Sequence, residues 1–245
     1  MLDFNHRSIC DELNQILDKG IVEFKAKHEH SRTYLGGSRV GVACQRALQY
    51  EFFNTPKDPD KGFNGRTYRI FEVGHALEDL AIGWFLYAGF DLRNKKKSGE
   101  QFGFETANGL IQGHIDGVFC GGPGTIAYPS LWECKTMKDD KWKKCAKEKL
   151  RKANPVYFAQ VQVYMAYMDL TENSAIFTSI NKNTQELYHE AIPFDLEHAQ
   201  KMSDKGANII HASLAGELLP RIAQSEDYFE CKYCSWHIRC WEQPS

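Results

Sequence analysis

Residues 113–117 read Gly113-His114-Ile115-Asp116-Gly117, and residues 131–135 read Leu131-Trp132-Glu133-Cys134-Lys135. Both lie in a stretch, Glu100 to Lys135, where short runs rich in Phe, Ile, Val and Trp are interrupted by Asn108-Gly109 and by Gly121-Gly122-Pro123-Gly124. Apolar β-formers bounded by such turn residues predict an antiparallel meander. Asp116 then closes one strand. Glu133 and Lys135, two apart on the next, project from the same face because strand side chains alternate. Two carboxylates on neighbouring strands converge where a hard divalent cation can sit, and Mg²⁺ or Mn²⁺ takes oxygen ligands of this kind. A lysine beside them can polarise an attacking water and offset phosphate charge.

Working outward, residues 1–30 carry Leu13, Ile16, Leu17 and Ile21 at helical spacing and predict a helical arm. A second helix is expected over Arg39–Phe53 with Ser38 as its N-cap, followed by a loop over Asn54–Gly65 with two prolines. A long amphipathic helix is expected from Thr67 to Ala88, closed by Gly89. It carries Gly74-His75-Ala76-Leu77-Glu78, which puts His75 and Glu78 on one side of the helix. His75 is placed to ligate the metal and Glu78 to sit at the site's margin.

Beyond the meander, helices are expected over Asp140–Lys152 and Val156–Met168, split at Asn154-Pro155. Gln160 and Tyr164, four apart on the second, can present an amide and a phenol toward DNA phosphate or the lysine. A hairpin (Ala175–Ile180, Glu186–Ile192) and a helix (Leu196–Ala215) lead to a cysteine-rich tail. The expected fold class is α/β: a central mixed, mainly antiparallel sheet flanked by helices, with a C-terminal cysteine cluster tied to an N-terminal helix. Its parts are residues 1–65 (helical, contributing one cysteine), 66–195 (the core) and 196–245 (helix and tail), together one compact domain.

Composition sets bounds. The 245 residues have 42% hydrophobic content and a formal net charge of −2, enough apolar surface for a core and no global excess of cations. A nucleic-acid partner must therefore be met by local charge. From Lys135 to Lys152 nine cations stand against three acids, a net of +6. Lys138, Lys141, Lys143 and Lys144 are candidate phosphate contacts, and Trp142 is a candidate to stack on a base. No apolar run is long enough for a bilayer and Met1–Gly20 lacks a signal's apolar centre, so a cytoplasmic protein with no membrane partner is expected. No Gly-x-x-x-x-Gly-Lys-Ser/Thr loop occurs, so any ATP-driven motor must be another protein.

Eight cysteines in a reducing compartment favour a metal over disulfides. Cys231-x2-Cys234-x5-Cys240 lies in the tail and lacks a fourth ligand, for which Cys44 is the candidate. Four thiolates suit a [4Fe–4S] cluster, and Zn²⁺ would use the same residues. Cys10, Cys120, Cys134 and Cys145 are expected to be plain buried cysteines.

The ordered set Gly-His-x-x-Glu, Gly-x-x-Asp-Gly, Glu-x-Lys and Gln-x-x-x-Tyr over residues 74–164 resembles the RecB-like branch of the PD-(D/E)XK nucleases, which includes CRISPR-associated exonucleases. One cysteine before the core and three after it are similar to the iron–sulfur members of that branch. The resemblance implies a restriction-endonuclease-like fold. It implies an Mg²⁺- or Mn²⁺-dependent DNA exonuclease acting on single strands or ends in recombination, repair or CRISPR adaptation. Asp116 and Glu133 would hold and serve the metal, His75 and the backbone carbonyl of Cys134 would add ligands, and Lys135 would assist the water. The alternative is a catalytically silent iron–sulfur DNA-binding subunit of a larger recombination or adaptation complex. A zinc-stabilised interaction protein accounts for the cysteines alone.

Overall fold

The computed structural model describes residues 8–28 and 32–242. The expected N-terminal arm is helix α1 (Ile9–His28); its residues 1–7 and 29–30 lie outside the described ones. The helices that follow are α2 (Gln45–Phe52), α3 (Gly65–Tyr87), α4 (Asp139–Glu148), α5 (Leu150–Ala153), α6 (Pro155–Tyr167), α7 (Leu196–Leu214), α8 (Phe229–Lys232) and α9 (His237–Glu242). The strands are β1 (Leu35–Gly36), β2 (Asp91–Arg93), β3 (Gly103–Thr106), β4 (Ile111–His114), β5 (Gly117–Gly121), β6 (Ser130–Met137), β7 (Ala175–Asn181) and β8 (Leu187–Ile192). No helix of the described residues is long and apolar enough to cross a membrane.

The fold class is α/β as expected, and the sheets differ from a simple meander. β3 and β4 form a hairpin that belongs, with β1, to a three-stranded sheet ordered β1-β4-β3. After His114 the chain leaves that sheet and enters a second, ordered β2-β5-β6-β7-β8. Its pairings are antiparallel except β6–β7, which are parallel because α4, α5 and α6 form the connection between them. β6 and β7 are largely buried on both faces, as central strands are, although β6 carries Glu133 and Lys135 and β7 carries Thr178, Ser179 and Asn181.

Two apolar clusters sandwich this sheet. Trp132, Cys134, Phe119 and Ile180 pack with Ala81, Ile82 and the partly buried Leu77 and Phe85 of α3. On the other face Leu131, Met137 and Phe177 join Phe158, Val161 and Met165 of α6 and Met202 and Ile209 of α7.

Several boundaries depart from the sequence reading for local reasons. The helix expected from Arg39 splits into a single 3₁₀ turn (Gly37–Arg39) and α2, whose N-cap residue is Cys44, so Ser38 does not cap it. The helix expected over Asp140–Lys152 breaks at Lys149, which takes φ +69° and separates α4 from α5. α3 starts two residues early because Asn64 accepts from the Thr67 amide at 2.9 Å, and Gly89 follows its end at φ +85°. Pro155 opens α6, where Asn154 caps the Tyr157 amide. Cys134 and Cys145 are buried as expected, whereas Cys10 and Cys120 are exposed.

Candidate active site

The last antiparallel pairs between β5 and β6 are Val118 with Leu131 and Gly117 with Trp132. Continued by one residue, that register sets Asp116 opposite Glu133, at the seam where the chain changes sheets. Asp116 is buried, and its Oδ2 accepts a hydrogen bond from the Cys134 amide at 2.8 Å. Glu133 is fully buried. Lys135 donates to Glu133 Oε1 and to the Cys134 carbonyl at 3.1 Å, and its Nζ stands 3.6 Å from Asp116 Oδ2. One ammonium thus bridges two carboxylates and the carbonyl between them.

α6 supplies the next layer. Gln160, itself buried, donates its amide to Glu133 Oε1 at 2.5 Å. Tyr164 is also buried, with its hydroxyl bonded to Ser38. Its ring lies so close to Gly37 and Gly113 that a Cβ on either would come within 2.9 Å of Tyr164 Cε1. Both side chains are buried and turn to groups of the protein, Gln160 to Glu133 and Tyr164 to Ser38, so of the two expected directions they lie on the side of the acid–lysine set. Tyr157, one turn earlier on the same side of α6, places its ring 5.6 Å from Lys135 Nζ. Sequence reasoning missed Tyr157, although stepping back three residues from Gln160 would have found it.

Electrostatics concentrate here. Burial, and then the charge of Asp116, push Glu133 up to about 8. Burial and Asp116 likewise push Glu78 of α3 up to about 7. Burial opposes the charge of Lys135, but Asp116 and then Glu133 hold its pKa well above the ordinary lysine value. Glu78 thus feels the charge of Asp116 from α3, in keeping with a place at the site's margin. His75 is exposed one helical turn before it. Among the described residues, no three His, Cys, Asp or Glu side chains are arranged to hold a metal ion as they stand. Glu133 Oε2, however, is buried with no hydrogen-bond partner. An uncompensated carboxylate oxygen in the interior is costly, and a hard cation is the partner its chemistry fits.

Of the basic run, Lys138, Lys141 and Lys144 are exposed on or beside α4, and Lys143 pairs with Asp139 at 2.8 Å. Trp142 is turned inward: its indole N–H donates to the Ser179 carbonyl at 3.0 Å and its ring packs against the core. It anchors α4 to β7.

Of the four expected cluster cysteines, Cys231 is buried and Cys44, Cys234 and Cys240 are half-buried, and no three of them are arranged to hold a metal ion as they stand. The thiols of Cys231 and Cys234 are pushed up, first by burial and also by Cys44 and Cys240. Cys240 Sγ accepts from Arg46 Nη1 at 3.9 Å, and Cys234 Sγ from the Trp236 amide at 3.4 Å. The tail reaches α2 through anchors the sequence did not reveal. Asp58, buried, accepts from the Ile238 and Arg239 amides at 2.7 and 3.3 Å, and Trp236 donates to the Thr55 carbonyl at 2.9 Å. Buried Arg46 donates to the Leu219 carbonyl at 2.5 Å. All eight cysteines are free of disulfides.

The arrangement invites comparison with known structures. A crystal structure of an alkaline exonuclease from Laribacter hongkongensis superposes with a TM-score of 0.51 at 15% identity, covering 80% of this chain and 93% of that one. The chain shares the fold of that exonuclease. The same exonuclease in complex with dAMP also superposes with a TM-score of 0.51, at 16% identity, covering 75% and 89%. The crystal structure of SSO0001 superposes at 0.49 with 15% identity over 96% and 98%. No family model matches the chain, and no curated protein matches it in sequence.

Proposed function

We propose that the chain is a metal-dependent DNA exonuclease whose centre is Asp116, Glu133 and Lys135. The observation that carries this reading is the buried, unpartnered Glu133 Oε2 beside Asp116 at the seam of a nuclease fold, with a lysine on the same carboxylate. Asp116, Glu133, the Cys134 carbonyl and an acid from α3 would hold Mg²⁺ or Mn²⁺. Glu78 is the α3 acid whose pKa burial and the charge of Asp116 raise, and His75 would join from the preceding turn. The cation lowers the pKa of a bound water and neutralises phosphate charge when present. Lys135 keeps its proton and stabilises charge developing on the phosphate, while Gln160 fixes the Glu133 carboxylate. The dAMP complex of the similar exonuclease supports a nucleotide-sized ligand for this fold. Exposed Lys138, Lys141 and Lys144 would take the DNA backbone.

The tail is read as a [4Fe–4S] site on Cys44, Cys231, Cys234 and Cys240, tying the two ends of the chain together; Zn²⁺ is the lesser occupant. Its support is that the charges of Cys44 and Cys240 reach Cys231 and Cys234, and that Arg46 and the Trp236 amide donate to the sulfurs of Cys240 and Cys234. Iron and sulfide analysis of purified protein tests it: four irons per chain support the cluster, and stoichiometric zinc replaces it. The nuclease reading is tested by Mn²⁺ titration with calorimetry. Wild type should bind Mn²⁺ and Asp116→Ala/Glu133→Gln should not; equal binding by both refutes the metal assignment. Biologically the reading fits processing of single strands or ends in recombination, repair or CRISPR adaptation, in the cytoplasm. A silent DNA-binding subunit leaves the Lys135–Glu133–Asp116 set without a purpose.

A further inference from the structure

Next to the acidic centre a cavity of about 320 Å³ opens between α3 and the end of β6–β7. Its lining is Arg66, Arg69, Ile70, Val73, Thr136 and Lys182. None of these belongs to the metal-binding set. Thr136 follows Lys135 on β6 and, because strand side chains alternate, leaves the strand on the α3 face; Gly74, beside Val73, lies against it, and a Cβ there would sit 3.7 Å from Thr136 Oγ1. An α-helix rises about 1.5 Å per residue, so Val73 and Ile70 lie about 7.5 and 12 Å along α3 from Glu78. The cavity is therefore within reach of a nucleotide neighbouring the one at the centre.

Its chemistry has two parts. Ile70 and Val73 are 44% and 52% exposed, so an apolar floor faces outward where a sugar or base could cover it. The rim is cationic, and none of the lining side chains is acidic. Among the described residues, neither Arg66 nor Lys182 has a carboxylate within ion-pair distance. Lys182 is fixed there because its amide donates to the Met137 carbonyl at 2.9 Å, which holds it at the end of β6. Arg69 pairs with Asp18 of α1, so the helical arm already places an anion on this rim. An apolar floor with two uncommitted cations above it is the complement of a nucleotide, with the phosphate on the cations and the sugar and base on the floor.

We infer that this cavity is a nucleotide subsite that grips the single strand of DNA next to the cleavage position. The inference rests on the nuclease reading and extends it to a second set of residues. The test is the double variant Arg66→Ala/Lys182→Ala; Arg69 is left intact because it holds α1. Cleavage of a labelled single-stranded oligonucleotide is compared with cleavage of bis(p-nitrophenyl) phosphate, an ester too short to span the centre and the cavity. The subsite predicts a KM for the oligonucleotide raised about tenfold, with kcat and the short-ester rate retained. Loss of two phosphate contacts should also reduce the slope of log affinity against log salt by about 1.4. An unchanged KM and salt slope overturn the inference, as does an equal loss on both substrates, which marks general damage. If wild type cleaves neither substrate, the nuclease reading is what fails. The cavity is then judged by oligonucleotide anisotropy alone: weaker binding by the variant supports the subsite and equal binding overturns it.

Discussion

Replacing Gln160 by leucine separates support of the metal site from contact with DNA. The side chains are similar in size, so Gln160→Leu removes the amide without leaving a cavity. The donor it removes bonds Glu133 Oε1 at 2.5 Å in a fully buried setting. A hydrogen bond to a charged group contributes about 1.5–3 kcal/mol. At about 1.4 kcal/mol per tenfold, that is about 10- to 150-fold in metal affinity or turnover. The range agrees with the roughly 10–100-fold cost of losing the partner of a metal-ligating group. Gln160 is only 4% exposed, so DNA cannot touch it. The assay measures initial cleavage of an end-labelled single-stranded oligonucleotide across a Mn²⁺ titration, with binding of the same oligonucleotide followed by anisotropy in EDTA. The expected result is a loss of one to two orders of magnitude in turnover or apparent Mn²⁺ affinity, with DNA binding unchanged. Wild-type rates and metal dependence would refute the reasoning, and so would weakened DNA binding with the rate intact.

Other perturbations probe the scaffold. Asp58→Ala strips the tail of two bonds from backbone amides to a buried carboxylate. The expected loss of about 2–3 kcal/mol, against an unfolding entropy near 0.5 kcal/mol/K for 245 residues, lowers Tm by about 4–6 °C in a thermal melt; no shift would deny Asp58 that role. His198 has a buried, unpartnered Nε2, and burial depresses its pKa. The unfolded chain therefore takes up this proton first, so stability is full above about pH 6.5 and falls as pH drops through the depressed folded value. Melting curves from pH 7.5 to 5.5 should decline less steeply for His198→Leu than for wild type, and parallel curves would contradict this. Gly113→Ala puts a methyl 2.6 Å from Phe104 Cε1 and 2.9 Å from Tyr164 Cε1. Overpacking there should cost about 1–3 kcal/mol in urea unfolding, and an unchanged midpoint would show that the rings yield freely.

The site was legible in the sequence wherever chain-local periodicity decided the geometry. Glu133 and Lys135 share a face because they are two apart on a strand, and Gln160 and Tyr164 share one because they are four apart on a helix. What those side chains touch depends on packing that spacing does not encode. Gln160 and Tyr164 turn to Glu133 and Ser38 because α6 is buried against the sheet, and Trp142 turns inward because its indole meets the Ser179 carbonyl. The switch of sheets between His114 and Gly117 was hidden because β3, β4, β5 and β6 follow one another with ordinary turn signals. The tail anchors Asp58 and Arg46 bond partners more than 160 residues away, and neither residue type carries a spacing signal that announces such a contact.

In the proposed function, Asp116, Glu133 and Lys135 hydrolyse DNA with a divalent cation. The most direct measurement is cleavage of 5′- and 3′-labelled single-stranded DNA by wild type and Lys135→Ala in Mn²⁺, Mg²⁺ or EDTA. The account predicts shortening from an end by wild type with either metal, none in EDTA, and none by Lys135→Ala under any condition. Full cleavage by Lys135→Ala, or cleavage that persists in EDTA, would contradict it.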